Sequence, residues 1–351
     1  MSTLLELADL QMRFAVKSSG APKAWFSGAR SYLHAVDSVD LRIEEGESVG
    51  LVGESGCGKS TLVRVVARLL DPTGGRVLFD GKDIAERSVQ AFSTSSDRAK
   101  IQVVFQDSDG SLNPRFKAYD CIADPILRLG SVSERAVVSA RVEEIADLVG
   151  LPRALLGRFP HQLSGGQKAR VNIARAIALS PKLLILDEQT SALDVSVQAV
   201  ILKLLAELRV RLGMTYLFVS HDLNVVRLLC DRVVVMYLGK IVEIGPAEKV
   251  LSAPRHPYTR ALLAAVPGQT RFGGSEQRLE GEPGSPIDPN PDACRFVGRC
   301  ARELPRCANE APVLRGENHR VACHVELEQP AGSTLGPLDH VPHRGGSHLT
   351  A

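Results

Sequence analysis

The stretch Gly53-Glu54-Ser55-Gly56-Cys57-Gly58-Lys59-Ser60-Thr61 follows an apolar run at residues 49–52 and precedes a helical run at residues 62–70. The pattern G-x-x-x-x-G-K-[ST] needs glycines so that successive backbone N–H groups can turn toward one anion, which the dipole of the next helix also attracts. Lys59 is expected to meet the β- and γ-phosphates, and Ser60 to bind Mg²⁺. Alone the stretch could be a glycine-rich turn, but the order strand, loop, helix favours a phosphate-binding loop.

The length, composition and charge of the chain limit what it can be. Its 351 residues suffice for one large or two modest domains, and a single packed unit is not expected. The formal charge of +2, from 42 basic and 40 acidic side chains, gives no overall field that would recruit nucleic acid. No apolar run approaches the roughly 18 to 20 residues that span a bilayer, and the first residues lack a signal-type core, so we expect a cytosolic protein.

Apolar patterning around the loop predicts alternating strands and helices. Alternation at residues 4–10 and 36–43 predicts two strands of a sheet that leads into the loop. Residues 114–180 are expected to be mostly helical, with Ser133 capping one helix. Farther on, a strand, an amphipathic helix closed by Gly213 and another strand favour parallel strands joined by helices. The later predicted strands are residues 182–186 and 215–219, and a hairpin at 232–236 and 240–244.

Two adjacent carboxylates, Asp187 and Glu188, end the apolar strand that begins near residue 182. Ligands bind at the carboxyl ends of parallel strands, so this position suits nucleotide chemistry. Asp187 can hold Mg²⁺ through water, and Glu188 can act as general base toward the attacking water. A solvated acidic turn is the alternative, and the phosphate loop disfavours it.

Two glycines open a further predicted helix in the stretch Leu163-Ser164-Gly165-Gly166-Gln167. Alone, this pattern is an ordinary N-cap with exposed N–H groups. With Gln106, Asp194 and His221 in the order of the remaining motifs, the stretch resembles the signature of the ATP-binding-cassette family. The resemblance covers about residues 3–265.

The resemblance implies an α/β fold with a P-loop NTPase (ABC ATPase) core. An antiparallel β subdomain and a helical signature subdomain at about residues 114–180 would complete a nucleotide-binding domain at residues 1–265. It also implies a head-to-tail dimer, in which each ATP lies between one subunit's phosphate loop and the other's signature. Because phosphoryl transfer depends on positioning and charge stabilisation, an unassembled half-site should be a poor catalyst.

By position in the family's motifs, the resemblance gives each candidate residue a role. Glu188 would activate water, His221 would contact the γ-phosphate, and Gln106 would take part in hydrolysis by sensing the nucleotide. Mg²⁺ would be bound by Ser60, Asp187 and Gln106. The nucleotide-binding residues would be Gly53, Glu54, Ser55, Gly56, Cys57, Gly58, Lys59, Ser60, Thr61, Gln106, Asp187 and Asp194, with Ser164, Gly165, Gly166 and Gln167 serving the opposite site.

The resemblance also implies that an aromatic side chain before the loop stacks on adenine. Tyr32 is the candidate, with Phe26 and Trp25 as alternatives, and each could instead pack on the core. Two positions depart from the family's pattern. Gln189 stands where proline is usual after the catalytic glutamate, and Ala169 where glutamine is common after the signature. Neither removes a phosphate or metal contact, so they bear on rate rather than on reaction type.

Residues 105–115, 191–196 and 256–260 resemble segments of the ATPase subunits of oligopeptide/dipeptide importers, a group that includes nickel and glutathione systems. The likeness implies ATP hydrolysis coupled to import of peptides or related small solutes. The subunit would pair with a second, related ATPase, or with its own copy, at the cytoplasmic face of the membrane. Two permeases and an extracytoplasmic binding protein complete the implied system, without nucleic acid. A soluble cassette in a nucleic-acid, ribosome-associated or enzyme-assembly complex is the alternative.

Four of the seven cysteines, Cys294, Cys300, Cys307 and Cys323, lie in a C-terminal extension at residues 266–328. This segment has little apolar core of its own, so a metal could hold it folded. It contains no C-x-x-C pair, which disfavours a standard zinc finger. In this importer branch similar cysteines bind a [4Fe–4S] cluster, and the arginine excess would balance its charge. Zinc and free thiols are the alternatives, and residues 329–351 are expected to be disordered.

Overall fold

The computed structural model describes residues 2–16, 30–105, 110–130, 134–188, 194–266 and 281–325. The strands in these ranges are β1 (Thr3–Val16), β2 (Ser31–Glu44), β3 (Ser48–Val52), β4 (Gly74–Phe79), β5 (Lys82–Asp83), β6 (Ile101–Val104), β7 (Leu183–Asp187), β8 (Thr215–Val219), β9 (Arg232–Tyr237), β10 (Lys240–Pro246) and β11 (Arg320–Val321). The helices are α1 (Lys59–Val66), α2 (Val89–Ser93), α3 (Asp97–Lys100), α4 (Ala118–Leu129), α5 (Arg135–Leu148), α6 (Gly165–Ile177), α7 (Val195–Leu212), α8 (Leu223–Leu229), α9 (Ala247–Ser252) and α10 (Pro257–Ala264).

A central sheet in the order β11-β10-β9-β3-β8-β7-β6 carries the phosphate loop at the end of β3. Strands β9, β3, β8, β7 and β6 are parallel, and β10 and β11 extend the sheet in antiparallel pairing. Along β7, Leu184 and Leu186 face one apolar core while Leu183 and Ile185 face another. A strand that is buried on both faces has a continuous apolar sequence. The bounds of β7, β8 and β9 could therefore be predicted from the sequence to within about one residue.

A second, antiparallel sheet has the order β2-β1-β4-β5, so the predicted α/β fold with an antiparallel subdomain is confirmed. Helix α1 packs in the core that the two sheets share. Both β1 and β2 are longer than predicted, because register shifts interrupt their alternation. Asp9 and Ser38 lie at these irregularities and have positive φ. Because a bulge moves the following side chains to the opposite face of the sheet, it disrupts the alternation of apolar and polar residues.

Helices α4, α5 and α6 form the layer that precedes β7 and bury one apolar face each. Glu134, rather than the predicted Ser133, is the residue before the first turn of α5, and Ser133 lies outside the described residues. Helix α7 ends at Gly213, whose φ of 62° closes the last turn as predicted.

The C-terminal segment, residues 281–325, packs against the cassette rather than standing apart. Strand β11 pairs with β10, and Ile287 forms a bridge with Leu33 of β2. Phe296 is 3% exposed and lies edge-on to Tyr237, with ring centroids 5.2 Å apart. The segment therefore obtains its core from the cassette, which explains why its own sequence shows little apolar periodicity. The predicted disordered tail, residues 329–351, lies outside the described residues.

Candidate nucleotide site

The phosphate loop connects β3 to α1 through glycines that no other residue could replace without strain. Gly53 and Gly58 have φ values of 153° and 108°. A Cβ atom would lie 2.2 Å from the Met236 carbonyl oxygen at Gly53, and 2.0 Å from that of Ala35 at Gly58. Backbone from two other strands thus closes around the loop and fixes its shape.

Lys59 lies inside the loop and is 6% exposed. Its Nζ donates to the carbonyl oxygens of Gly53 (2.7 Å) and Glu54 (2.9 Å). Ser60 and Thr61 follow in the first turn of α1, which contains no acidic side chain. The Lys59 ammonium group and the N-terminus of α1 therefore lie together, and no acidic side chain in the first turn reduces their positive charge. An anion-binding site requires this arrangement.

Strand β7 brings Asp187 to the same place. Burial and the neighbouring Glu188 raise the pKa of Asp187, and the cations Arg64 and Lys59 act in the opposite direction. Asp187 is in register with Val219 of β8, which is in register with Leu51 of β3, so the carboxylate lies two strands from the start of the phosphate loop, at the same edge of the sheet. A carboxylate here can balance a metal ion held against phosphates.

Glu188 and His221 lie side by side at the carboxyl ends of β7 and β8. The Glu188 Oε2 atom is 3.4 Å from His221 Nδ1, and the backbone N–H of Glu188 donates to Val219 (3.0 Å). Glu188 has φ of +44°, a left-handed conformation that a non-glycine residue adopts at a cost and that recurs at functional sites. The strained turn places a carboxylate beside an imidazole.

The signature stretch begins α6 on a different surface. Ser164 Oγ accepts from the Gln167 N–H (3.4 Å), and Gln167 Oε1 accepts from the Ser164 N–H (2.9 Å), which is a capping box. Ser164, Gly166 and Gln167 line a cavity of about 320 Å³, whereas residues of the phosphate loop line another of about 440 Å³. Within one chain, the signature and the loop therefore face different spaces.

The structure shows the surroundings of some of the remaining candidate residues, whereas others lie outside the described residues. Tyr32 lies on β2 and is 38% exposed, so its ring is available for stacking. Asp194 precedes α7 without a side-chain capping bond. Ala169 is fully buried in the apolar core, so this departure from the family's pattern is a packing position. Outside the described residues lie Gln106, the alternatives Trp25 and Phe26, and Gln189.

Comparison with known proteins decides the family. A family model described as ABC transporter matches residues 36–191, and one for the C-terminal region of oligopeptide/dipeptide transporters matches residues 242–307. The chain is 45% identical over 324 residues to the oligopeptide transport ATP-binding protein OppF of Salmonella typhimurium, covering 91% of this chain and 95% of that protein. This chain belongs to the ATP-binding-cassette family. It is an ABC ATPase of the oligopeptide-transport branch.

Further relatives and solved structures agree. The ABC ATPase is 44% identical to the oligopeptide transport ATP-binding protein AppF of Bacillus subtilis, over 92% of this chain and 97% of that one. A dimeric post-hydrolysis structure of the cassette MJ0796 with ADP and phosphate is 28% identical with a TM-score of 0.60, over 70% of this chain and 99% of that chain. CbiO1 of Clostridium perfringens is 31% identical with a TM-score of 0.59, over 71% and 91% of the chains. Among the described helices, none is long and apolar enough to cross a membrane.

Two residues of the ABC ATPase that contact the phosphate loop were not predicted from sequence. The Tyr258 hydroxyl accepts from the Glu54 N–H (2.8 Å), and Arg299 pairs with the Glu54 carboxylate (2.8 Å). Tyr258 belongs to the segment 256–260 that resembles the importer branch, and the resemblance gives it no role of its own. The feature that could have identified Tyr258 is its hydroxyl group, because a tyrosine that is fully buried needs a hydrogen-bond partner. Arg299 lies 245 residues from Glu54, and nothing in its local sequence indicates this pairing.

The four cysteines of the extension are free thiols that are at least partly buried. Burial raises the pKa of Cys323 to about 11, and the thiols of Cys294, Cys300 and Cys307 add to this rise. Backbone N–H groups approach two of the sulfurs, from Leu304 to Cys307 (3.5 Å) and from Val325 to Cys323 (3.4 Å). In the described ranges, no group of three or more His, Cys, Asp or Glu side chains is arranged to hold a metal ion. The iron–sulfur cluster stays a prediction.

Proposed function

We propose that this ABC ATPase binds and hydrolyses ATP to energise the import of peptides or related small solutes through a membrane transporter. The observation that carries the chemistry is the convergence of Lys59, Asp187 and the Glu188–His221 pair at one edge of the central sheet. Its relatives OppF and AppF are oligopeptide transport ATP-binding proteins, which supports the choice of solute.

The residues suggest a division of work in hydrolysis. Lys59 leaves the carbonyl oxygens of Gly53 and Glu54 and donates to the β- and γ-phosphates, while the N-terminus of α1 stabilises their charge. Ser60 and Asp187, with Gln106, would hold Mg²⁺, which neutralises charge on the phosphates. Glu188 takes the proton of the attacking water, and His221, beside it, donates toward the γ-phosphate.

A second ATPase subunit would complete each site. The signature, Ser164 to Gln167, and the phosphate loop face different cavities in one chain, as expected if each meets the complementary element of a partner. The related cassette MJ0796 is described as dimeric with ADP and phosphate bound. We propose a second, related ATPase as the partner. A homodimer is the other outcome, and identification of the subunits in the purified complex by mass spectrometry would reveal it.

The permeases would dock near the helical layer, at the cytoplasmic face of the membrane. A cavity of about 690 Å³ lies there between β6, α4 and α6, lined among others by Phe105, Ser111, Asp124 and Arg175. Phe105 is 37% exposed and precedes Gln106, so a permease helix in this cavity would contact the segment that senses the nucleotide. Two such permeases would receive solute from an extracytoplasmic binding protein.

We also propose the boundaries 1–265 for the nucleotide-binding domain, with the helical subdomain at about 114–180, and 266–328 for the extension, followed by the disordered tail at 329–351. In the extension, a [4Fe–4S] cluster would be held by the four thiols, and the N–H bonds that Cys307 and Cys323 accept favour it, because such bonds stabilise thiolates bound to iron. Iron and sulfide in anaerobically purified protein are the expected result. Stoichiometric zinc without visible absorbance would overturn the cluster.

The test of hydrolysis is the variant Glu188→Gln in the assembled complex. It removes the base but keeps the shape of the side chain, so MgATP should still bind while turnover falls by about 100-fold or more. The matched control is Asp222→Asn, which also exchanges a carboxylate for an amide beside His221. Asp222 caps α8 by accepting from the Asn224 N–H, and asparagine keeps that acceptor. Turnover at the wild-type rate in Glu188→Gln would refute the assignment of the base.

A further inference from the structure

Arg299 of the extension reaches into the wall of the ATP site. Its guanidinium donates through Nη1 to Glu54 Oε2 (2.8 Å) and through Nη2 to Glu54 Oε1 (3.2 Å). Nη1 also donates to the Tyr237 hydroxyl (3.2 Å), and the group lies 5.8 Å from the centre of the Tyr237 ring. The Arg299 side chain is only 6% exposed. A bidentate pair of this kind fixes orientation as well as position.

Glu54 is the second residue of the phosphate loop, and the structure holds it at three points. Its side chain is bound by Arg299, its N–H donates to Tyr258, and its carbonyl oxygen accepts from Lys59 (2.9 Å). The Lys59 contact must be exchanged for phosphate when ATP binds, which leaves the other two to keep the loop in place. Arg299 therefore belongs to the support that persists in the loaded site.

The extension also covers the outer face of the loop. Residues Glu282 to Gly284 and Pro286 line the cavity of about 440 Å³ whose other wall is residues 54–57. Phe296, three residues before Arg299, packs against both Tyr237 and Tyr258, with ring centroids 5.2 and 5.5 Å away. A shift of the segment between Cys294 and Cys300 would thus move Arg299 relative to the loop.

We propose that Arg299 is a positioning residue for the phosphate loop, and that through it the four-cysteine segment, residues 294–323, is thermodynamically coupled to nucleotide binding. The loop must accept a polyanion, and the Glu54 carboxylate opposes this by like-charge repulsion. Arg299 neutralises the carboxylate and holds it beside Tyr237. Coupling between two sites is reciprocal, so ATP should in turn stabilise the segment. The inference rests on the ATP site proposed above.

Binding of MgATP to the full chain, purified anaerobically, tests the positioning role by calorimetry. Arg299→Ala should raise the Kd for MgATP about tenfold, within the range usual for coupled sites, with kcat at saturating ATP close to wild type. Glu54→Gln in the Arg299→Ala background should restore the Kd, because no carboxylate then needs neutralising. The control Arg302→Ala removes an exposed arginine of the same segment and should leave the Kd unchanged.

An Arg299→Ala protein that binds MgATP like wild type would overturn the proposal, as would a double variant no better than Arg299→Ala. If wild type itself failed to bind MgATP, the proposed function would fall instead. Hydrogen exchange of the wild-type chain gives a measurement that needs no variant. MgATP should slow amide exchange in residues 294–307, and exchange that is the same with and without MgATP would overturn the coupling.

Discussion

His256 should make the ABC ATPase less stable in mild acid. The side chain is 1% exposed and lies between α10 and the extension. Its Nδ1 accepts from the Tyr258 N–H (3.0 Å), and the ring also bonds to the backbone of Ala322. Burial lowers the pKa of His256 from 6.5 to about 4, although the Glu243 charge and the Ala322 bond act in the opposite direction. The neutral ring is therefore the form that the fold accepts.

The size of the effect follows from the two pKa values. The unfolded chain takes up the proton near pH 6.5 and the folded chain only near pH 4. Because the folded pKa is depressed, the contribution of His256 is complete above pH 6.5 and is lost as the pH falls from 6.5 to 4. The loss amounts to about 2 kcal/mol at pH 5 and about 3 kcal/mol at pH 4. Asp37, whose pKa is held below its usual 3.8 by Lys240 and Arg295 despite its burial, titrates at lower pH.

Urea unfolding at pH 7 and pH 5 measures this loss, with His256→Asn as the comparison. Asparagine keeps an acceptor for the N–H of Tyr258 but takes up no proton. The free energy of unfolding of the wild type should fall by about 2 kcal/mol more than that of the variant between the two pH values. Equal losses in both proteins would refute a buried, neutral His256.

Two further variants test single contacts. Gly58→Ala should abolish MgATP binding, because its Cβ would lie 2.0 Å from the Ala35 carbonyl oxygen, while Gly157→Ala, where nothing lies within 4 Å, should bind normally in the same calorimetric assay. His319→Ala should lower the free energy of unfolding by about 2 kcal/mol in urea, because it removes the hydrogen bond between His319 Nε2 and the fully buried Glu243 carboxylate (2.6 Å). An unchanged urea midpoint would contradict that pairing.

The sequence predicted the site where the chemistry depends on neighbours along the chain. Lys59 and Ser60 follow the glycines directly, and Asp187 and Glu188 follow a buried strand, so local pattern placed them at one sheet edge. The capping box between Ser164 and Gln167 is likewise a contact over three residues. Such features are visible in a linear pattern because backbone geometry determines them.

The contacts that sequence could not supply join distant parts of the chain. Arg299 and Glu54 are separated by 245 residues, and the pairing of Tyr32 with Asp288 spans 256. Phe296 of the extension inserts among aromatic rings of the cassette, and no periodicity within the segment indicates this contact. The extra length of β1 and β2 was missed for a different reason, since bulges disrupt the alternation that marks a strand.

ATP-driven uptake of a labelled oligopeptide is the most direct test of the central claim. Proteoliposomes would contain this chain, its partner ATPase, the two permeases and the binding protein, with MgATP on the side of the ATPases. We predict peptide accumulation with wild type and with Asp222→Asn, and its loss with Glu188→Gln. Accumulation that persists in Glu188→Gln, or ATP hydrolysis by the wild-type assembly without peptide accumulation, would contradict the account.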